Sequence, residues 1–340
     1  MKHPVPLDNL ELLSRALDWS REGRRVALAT VISTWGSAPR PVGSMLVADG
    51  DCRILGSVSG GCVEGAVVQE ALGVMDTQQP RSLEYGVSNE QAWEVGLACG
   101  GSIRIYVEPV DETKLRLFEA LLQLKQEQRA AVLITRLEDG SKRLLDPQAE
   151  PQDPLAAAAE AALRADRSGE HETDGQRYFL QVYNPPLRLV LVGAVHIAQA
   201  MVPMAKLAGY DVTVVDPRSA FVTEERFPEV QRLALWPKQA LQTLAPDART
   251  AVVTLSHDPK IDDPALIAAL SSDAFYVGAL GSRRTHAGRL QRLAEQGLTA
   301  EQLERIHAPV GLAIGARTPA EIAVSVLAQI TAVLRQEKPA

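Results

Sequence analysis

This chain of 340 residues contains few cysteines, no excess of basic residues and no long apolar run. Its three cysteines, Cys52, Cys62 and Cys99, are too few and odd in number for a disulfide scaffold, and this scarcity is typical of the reducing cytoplasm. The net charge is −7, whereas proteins that bind nucleic acid electrostatically usually carry an excess of basic residues. No apolar run approaches the roughly 18 residues of a membrane span, and no secretory apolar core follows residues 1–4. These absences predict a cytoplasmic protein that neither spans a membrane nor binds nucleic acid.

The spacing of the cysteines also disfavours a zinc site. Structural zinc sites usually take their ligands in close pairs, whereas Cys52, Cys62 and Cys99 are far apart and no HxxxH pattern accompanies them. Cys52 precedes a predicted strand without a neighbouring glycine, so it is interpreted as an ordinary loop residue.

The other two cysteines have glycine neighbours. Cys62 follows two glycines at what the pattern predicts to be a helix start, and Cys99 precedes two more. Glycine lets the backbone turn sharply and approach a ligand, and a helix N-terminus attracts anions and lowers the pKa of a nearby thiol. The alternative is a small buried residue at a tight turn. The candidate binding residues here are Gly60, Gly61, Cys62, Glu64, Cys99 and Gly100.

The two halves of the chain follow different patterns. The first half mixes a predicted helix at residues 8–22 with strands such as 26–33 and 103–107. The prolines at Pro185 and Pro186 cannot continue a central strand. We therefore predict an N-terminal mixed α/β domain, 1–185, that carries both glycine-flanked cysteines, and a C-terminal domain, 186–340.

The C-terminal half alternates strands with helices. Residues 187–192 and 212–215 are apolar and flank a helical stretch, which predicts a Rossmann-like, doubly wound parallel sheet with helices on both faces. Gly193, His196 and Asp216 partly match the dinucleotide-binding pattern of this fold. Val195 stands where that pattern needs a glycine, and its side chain would crowd a pyrophosphate. Two alternatives therefore stay open: this fold binds a dinucleotide, or it has the nucleotide-binding architecture but serves a different ligand.

Two further turns carry polar side chains after predicted strands. The run Gly281, Ser282, Arg283 and Arg284 opens a helix, where guanidinium and backbone N–H groups suit a phosphate; the alternative is two solvated arginines behind a serine cap. Arg317, before a predicted capping box, is a candidate for the same face.

His257 follows another predicted strand, at the sheet edge where open α/β proteins bind ligands. With Asp258 it forms either a proton-transfer or hydrogen-bonding pair, or a local turn before Pro259.

Long stretches of the sequence resemble one family. They are residues 34–40, 56–64 and 93–101 in the first half, and the run around His196 with 212–218, 256–260, 276–286 and 307–317 in the second. Together they resemble the XdhC/CoxI family, the accessory proteins of xanthine dehydrogenases and related molybdenum hydroxylases. The resemblance covers most of the chain apart from 113–177. Val195 and Ala313 depart from it, standing where the family usually has glycine and commonly an acidic residue.

The resemblance implies a non-catalytic chaperone, often a homodimer. Such proteins bind the molybdenum cofactor, as molybdopterin or its dinucleotide form, and protect it while a cysteine desulfurase supplies the terminal sulfur. They then deliver it to the apo molybdenum hydroxylase. Cys62 and Cys99 would be the contacts to molybdenum.

Two other functions stay open. One is an NAD(P)-dependent oxidoreductase, in which Asp216 would bind a ribose, Arg218 a 2′-phosphate, and His196 or His257 would move a proton; Val195 argues against it. The other is a scaffold that only contacts the dehydrogenase and the desulfurase.

Overall fold

The computed structural model describes residues 7–86 and 101–335. The contacts within the chain divide it after Pro185 into two compact units. We call residues 1–185 unit 1 and residues 186–340 unit 2. Among the described residues, no helix is both long enough and apolar enough to cross a membrane.

Unit 1 mixes helices with antiparallel sheets. Its helices are α1 (Asn9–Arg21), α2 (Glu64–Thr77), α3 (Glu112–Gln126) and α4 (Ala156–Ala165). Its strands are β1 (Val26–Trp35), β2 (Met45–Asp49), β3 (Ile54–Gly56), β4 (Arg81–Tyr85), β5 (Ser102–Pro109), β6 (Ala131–Arg136), β7 (Lys142–Leu145), β8 (Gly169–Thr173) and β9 (Gln176–Tyr183).

A five-stranded sheet in the order β3-β2-β1-β5-β4 is the centre of unit 1. Val67, Ala71 and Val74 of α2 pack against one face of it. The other face packs against α1 and α3, which contribute Leu13 and Phe118 among others. A second sheet, in the order β7-β6-β9-β8, shares this core through β6 and β9 and is covered on its far side by α4. The apolar residues at helical spacing on α2 therefore hold this helix against the sheet. The loop that precedes it, between β3 and α2, carries Cys62.

Unit 2 alternates strands and helices along the chain. Its strands are β10 (Leu187–Val192), β11 (Tyr210–Val215), β12 (Gln231–Leu233), β13 (Thr250–Thr254), β14 (Tyr276–Ala279) and β15 (Ile306–His307). Its helices are α5 (His196–Leu207), α6 (Pro237–Leu244), α7 (Pro259–Leu270), α8 (Arg283–Glu295), α9 (Ala300–Glu304) and α10 (Pro319–Arg335).

The sheet of unit 2 is parallel throughout, in the order β12-β11-β10-β13-β14-β15. Helices α5 and α10 pack on one face, and α6, α7 and α8 pack on the other. This is the doubly wound Rossmann order, whose strand order reverses between β10 and β13. The predicted fold class, a mixed α/β first half and a Rossmann-like second half, is confirmed. The loops after the carboxyl ends of these strands form the edge where such sheets bind ligands.

Candidate functional site

The loop between β3 and α2 exposes a thiol. Gly60, Gly61 and Cys62 are all exposed, and the cysteine is free. Gly60 and Gly61 have φ angles of 74° and 115°, a left-handed region that suits glycine. Helix α2 begins at Glu64, two residues later than the sequence pattern predicts. Cys62 is therefore an accessible loop residue before the helix and not a buried residue within a turn.

Glu64 holds this loop in place. One carboxylate oxygen accepts hydrogen bonds from Ser57 Oγ (2.7 Å), Ser59 N (2.9 Å) and Val58 N (3.2 Å). The other accepts from Ser59 Oγ and from Gly61 N (2.8 Å). Burial alone would raise the pKa of Glu64, but these hydrogen bonds from Ser59 and Ser57 lower it to about 2. The sequence predicts Glu64 as a ligand contact, whereas its oxygens are already committed to the loop.

A second loop, which follows β1, packs against the Cys62 loop. Arg40 Nε donates to the carbonyl oxygen of Ser57 (3.3 Å), and a Cβ built on Gly60 would lie 3.6 Å from Pro39 Cβ. These contacts bring the first two motifs, at residues 34–40 and 56–64, together in space.

The start of β5 lies against the same loop after β1. A Cβ on Gly101 would lie 2.6 Å from the carbonyl oxygen of Trp35 and 2.7 Å from that of Ser37, so only glycine fits there. Two other predicted site residues, Cys99 and Gly100, lie outside the described residues.

In unit 2, the turn after β10 packs tightly on the loop after β13. Gly193 has a φ of 107°, and a Cβ there would lie 2.9 Å from Ser256 N. Val195 is half-buried at the N-cap of α5. His196 is exposed, with Nδ1 3.1 Å from Gln199 Oε1.

Asp216 is fully buried and committed to the protein itself. One carboxylate oxygen accepts from Arg218 N (3.0 Å) and Nε (2.8 Å). The other accepts from Arg218 Nη2 (2.7 Å) and Ala194 N (2.9 Å). Arg226 Nη2 donates to the Ala194 carbonyl oxygen (2.9 Å). Four donors saturate the carboxylate, so neither it nor the Ala194 amide is available to a ribose or a pyrophosphate in this arrangement.

This arrangement predicts that Val195→Gly does not create a dinucleotide site. The substitution restores the glycine of the nucleotide-binding pattern, but the Ala194 amide stays bonded to Asp216. We expect titration of the variant with NADPH to give no saturable fluorescence change, as for the unaltered protein. Saturable NADPH binding by the variant would show that the valine side chain alone blocks the site.

The turn between β14 and α8 presents two exposed cations. Ser282 caps the helix by accepting from Thr285 N (3.1 Å). Arg283 and Arg284 are exposed, and neither forms an ion pair or hydrogen bond with any residue the structure describes. Gly281 precedes them with a φ of 139°. Free guanidinium groups beside helix N–H groups suit an anion such as a phosphate.

The remaining candidates in unit 2 follow β13 and β15. His257 is exposed with a φ of 63°, a region that few non-glycine residues adopt. Asp258 accepts from Lys260 N (2.9 Å) and so caps α7, as the turn alternative predicts. The Arg317 side chain is exposed, while its backbone N–H donates to Glu321 Oε2 (2.8 Å).

The fold therefore gathers the candidates into two groups, one in each unit. In unit 1, the loop of Cys62 is held by Glu64. In unit 2, loops that carry Gly193, His257, Arg283 and Arg317 all follow parallel strands at their carboxyl ends, and so share one edge of the sheet. Within the described ranges, no three His, Cys, Asp or Glu residues cluster closely enough to hold a metal ion.

Sequence reasoning missed several residues that build these loops. Ser57, Ser59 and Arg40 shape the Cys62 loop, and Arg226 fastens the Gly193 turn. The two serines just before a Gly-Gly pair and a glutamate just after it were a usable signal, since a glutamate in the first turn of a helix often accepts hydrogen bonds from backbone N–H groups that precede the helix. Arg226 lies 32 residues from Ala194, and no local pattern connects them.

Family models match parts of both units. A model described as the XdhC Rossmann domain matches residues 189–330, and one described as the XdhC and CoxI family matches residues 19–86. A crystal structure described as a xanthine dehydrogenase from Bacillus halodurans has the same fold, with a TM-score of 0.76 and 23% identity over 98% of this chain and 97% of that one.

Two relatives are similar along almost their whole length. The chain is 33% identical to the molybdenum cofactor insertion chaperone PaoD of Escherichia coli K12, over 97% of this chain and 91% of the relative. It is 30% identical to a Bacillus subtilis 168 protein named as a probable xanthine dehydrogenase subunit, over 89% of this chain and 91% of that protein. The chain belongs to the XdhC and CoxI family.

Proposed function

We propose that this protein is a maturation factor that carries a molybdenum cofactor as its cargo. It protects the cofactor during sulfuration and delivers it to a molybdenum hydroxylase of the xanthine dehydrogenase type. The names of the relatives support this proposal, one being a molybdenum cofactor insertion chaperone and the other a probable xanthine dehydrogenase subunit. The partners we propose are a cysteine desulfurase, the apo-hydroxylase and a second copy of this chain, all in the cytoplasm.

The exposed thiol on a preorganised loop is the observation that carries this proposal. Cys62 is free and exposed, and Glu64 fixes the backbone on both sides of Gly60. A thiolate is a soft ligand that suits a metal or a sulfur-bearing group. An exposed thiol also suits a carrier, because an exchangeable contact allows release, whereas a closed set of protein ligands would retain the metal.

The arginine turn of unit 2 supplies the second part of the proposal. The cofactor ends in a phosphate, and its dinucleotide form carries two. Arg283 and Arg284 are exposed cations that no described partner neutralises, and they stand at the start of the 13-residue helix α8. We propose that this turn binds the phosphate end.

Neither group has the arrangement expected of an NAD(P)-dependent dehydrogenase. The Asp216 carboxylate, which would bind the ribose, is saturated by Arg218 and Ala194. The geometry therefore supports cofactor carriage better than hydride transfer.

The test is to express the full chain in a molybdate-supplied host and measure the molybdenum and pterin that copurify with it. Cys62→Ser is expected to lower both by about tenfold or more, which is the effect of losing one contact of about 1.4 kcal/mol. Cys52→Ser is the matched control, because Cys52 is also free and exposed but lies away from the glycine motif. Arg283→Ala tests the phosphate end in the same assay.

Two outcomes would contradict this proposal. A Cys62→Ser protein with full molybdenum and pterin would remove the thiol role. Absence of bound cofactor from the unaltered chain in a host that makes it would favour a scaffold that only contacts the partner enzymes.

A further inference from the structure

An arginine and an aspartate are buried together beneath the loops at the ligand edge of unit 2. Arg289 of α8 is 2% exposed and Asp262 of α7 is 1% exposed. Arg289 Nη2 lies 3.7 Å from Asp262 Oδ2. Buried charges are costly unless they are paired and hydrogen-bonded, so this pair needs a reason beyond packing.

Arg289 contacts the arginine turn from below. Its Nη2 donates to the carbonyl oxygen of Leu280 (2.8 Å), the residue just before Gly281. A Cβ on Gly281 would lie 3.7 Å from the same nitrogen. Side chains on a helix point toward its N-terminus, which is why a residue two turns into α8 reaches the turn that opens it.

Asp262 contacts the neighbouring loop after β13. Its Oδ1 accepts from Ser256 Oγ (2.7 Å) and Ser256 N (3.3 Å). Ser256 N in turn lies against Gly193, where a Cβ would be only 2.9 Å away. The pair therefore connects the turns that follow β10, β13 and β14 through partly buried contacts.

The guanidinium of Arg289 is only partly hydrogen-bonded within the part of the chain that the structure describes. Its Nε and Nη1 and Asp262 Oδ2 have no hydrogen-bond partner there. The nearby Asp263 is engaged by Arg292, at 2.7 and 3.0 Å. Burial raises the pKa of Asp262, while its hydrogen bonds from Ser256 and the charge of Arg289 act in the opposite direction.

His286 is a neighbour of Arg289 on α8. Burial and the neighbouring Arg289 both lower the pKa of His286.

We propose that Arg289 is the positioning residue of an anion subsite for a phosphate ester at residues 281–285. It fixes the turn through the Leu280 carbonyl and places a buried, partly unsatisfied guanidinium beside it. Asp262, anchored by Ser256, holds the guanidinium in place. This inference rests on the proposed function, since it assumes that the turn binds the phosphate end of the cargo.

The competing explanation is that the pair only stabilises the fold, and a double variant separates the two roles. Arg289→Met alone leaves the buried Asp262 without its positively charged partner and is expected to lower the thermal midpoint. Asp262→Asn combined with Arg289→Met removes both charges, so we expect it to recover much of that midpoint. If Arg289 acts on the anion, the double variant still binds inorganic pyrophosphate about tenfold or more weakly than the unaltered chain.

The experiment is calorimetric titration of the full-length protein and its variants with inorganic pyrophosphate. Arg289→Lys keeps the charge without the planar fork and is expected to bind more tightly than the double variant. A folded double variant with unaltered affinity would overturn the role of Arg289. If Arg283→Ala abolishes binding while the double variant retains it, the result supports an anion site at the turn and contradicts only the role of Arg289. Absence of binding by the unaltered chain would overturn both.

Discussion

Replacing Glu64 by alanine is expected to lower the free energy of unfolding by about 2 kcal/mol and to loosen the loop that carries Cys62. The substitution removes the acceptor of five hydrogen bonds, from the hydroxyls of Ser57 and Ser59 and from three backbone N–H groups. Hydrogen bonds to a charged group are worth more than neutral ones, but partial exposure of the loop limits the total. Denaturation by urea at pH 7 measures the effect.

The pH dependence of this effect has a definite sign. Folding lowers the pKa of Glu64 from its ordinary value of 4.5 to about 2. The ionised carboxylate therefore stabilises the folded state above pH 4.5, and this contribution is lost as the pH falls toward 2. We expect the difference in unfolding free energy between the unaltered protein and Glu64→Gln to shrink across that range.

Glu70 provides a control on the same helix. It forms an exposed ion pair with Arg81 (2.9 Å), and exposed pairs contribute about 0.2–1 kcal/mol. Glu70→Ala should therefore cost clearly less than Glu64→Ala. In a Cys52→Ser background, where Cys62 is the remaining exposed free cysteine of the described residues, the rate of thiol modification should change with Glu64→Ala and stay constant with Glu70→Ala. Equal stability losses in the two variants would contradict the role assigned to Glu64.

Gly193→Ala is expected to destabilise the protein by about 2–6 kcal/mol. The φ of 107° costs a non-glycine residue about 1–3 kcal/mol. The added methyl group would also lie 2.9 Å from Ser256 N and 3.1 Å from Ser256 Cβ, and such overpacking costs about 1–3 kcal/mol. The backbone of β13 and its loop cannot yield as a flexible side chain would, so the turn after β10 must move away from Ser256.

Gly209→Ala isolates the contribution of that contact. Gly209 also has a positive φ, of 86°, but no atom lies within 4 Å of a Cβ placed there. The second variant therefore bears the backbone strain without the collision. Thermal or urea unfolding should rank Gly193→Ala as the more damaging substitution by about 1 kcal/mol or more. Equal losses would show that Ser256 moves freely and that the turns after β10 and β13 are not tightly packed.

Local patterns in the sequence predicted much of the fold. Apolar strands alternating with helical stretches indicated a parallel, doubly wound sheet in unit 2, because such strands are buried on both faces. The pattern missed β4 and β12, since Arg81–Tyr85 and Gln231–Leu233 are edge strands that carry polar and exposed residues. It also missed α7, which begins with Pro259 and contains Pro264.

The sequence by itself also indicated which loops to examine. Glycine and serine at helix starts, consecutive arginines and glycine-flanked cysteines are informative before the fold is known. Tertiary structure alone decided which of these side chains are available to a ligand. Asp216 and Glu64 were predicted as ligand contacts, yet both carboxylates are saturated by protein donors. The physical reason is that a carboxylate has the same sequence signature whether it bonds a ligand or a backbone amide. Only the tertiary fold determines which donors lie within hydrogen-bond distance of the carboxylate. It places Ala194 N 2.9 Å from Asp216 Oδ2, for example.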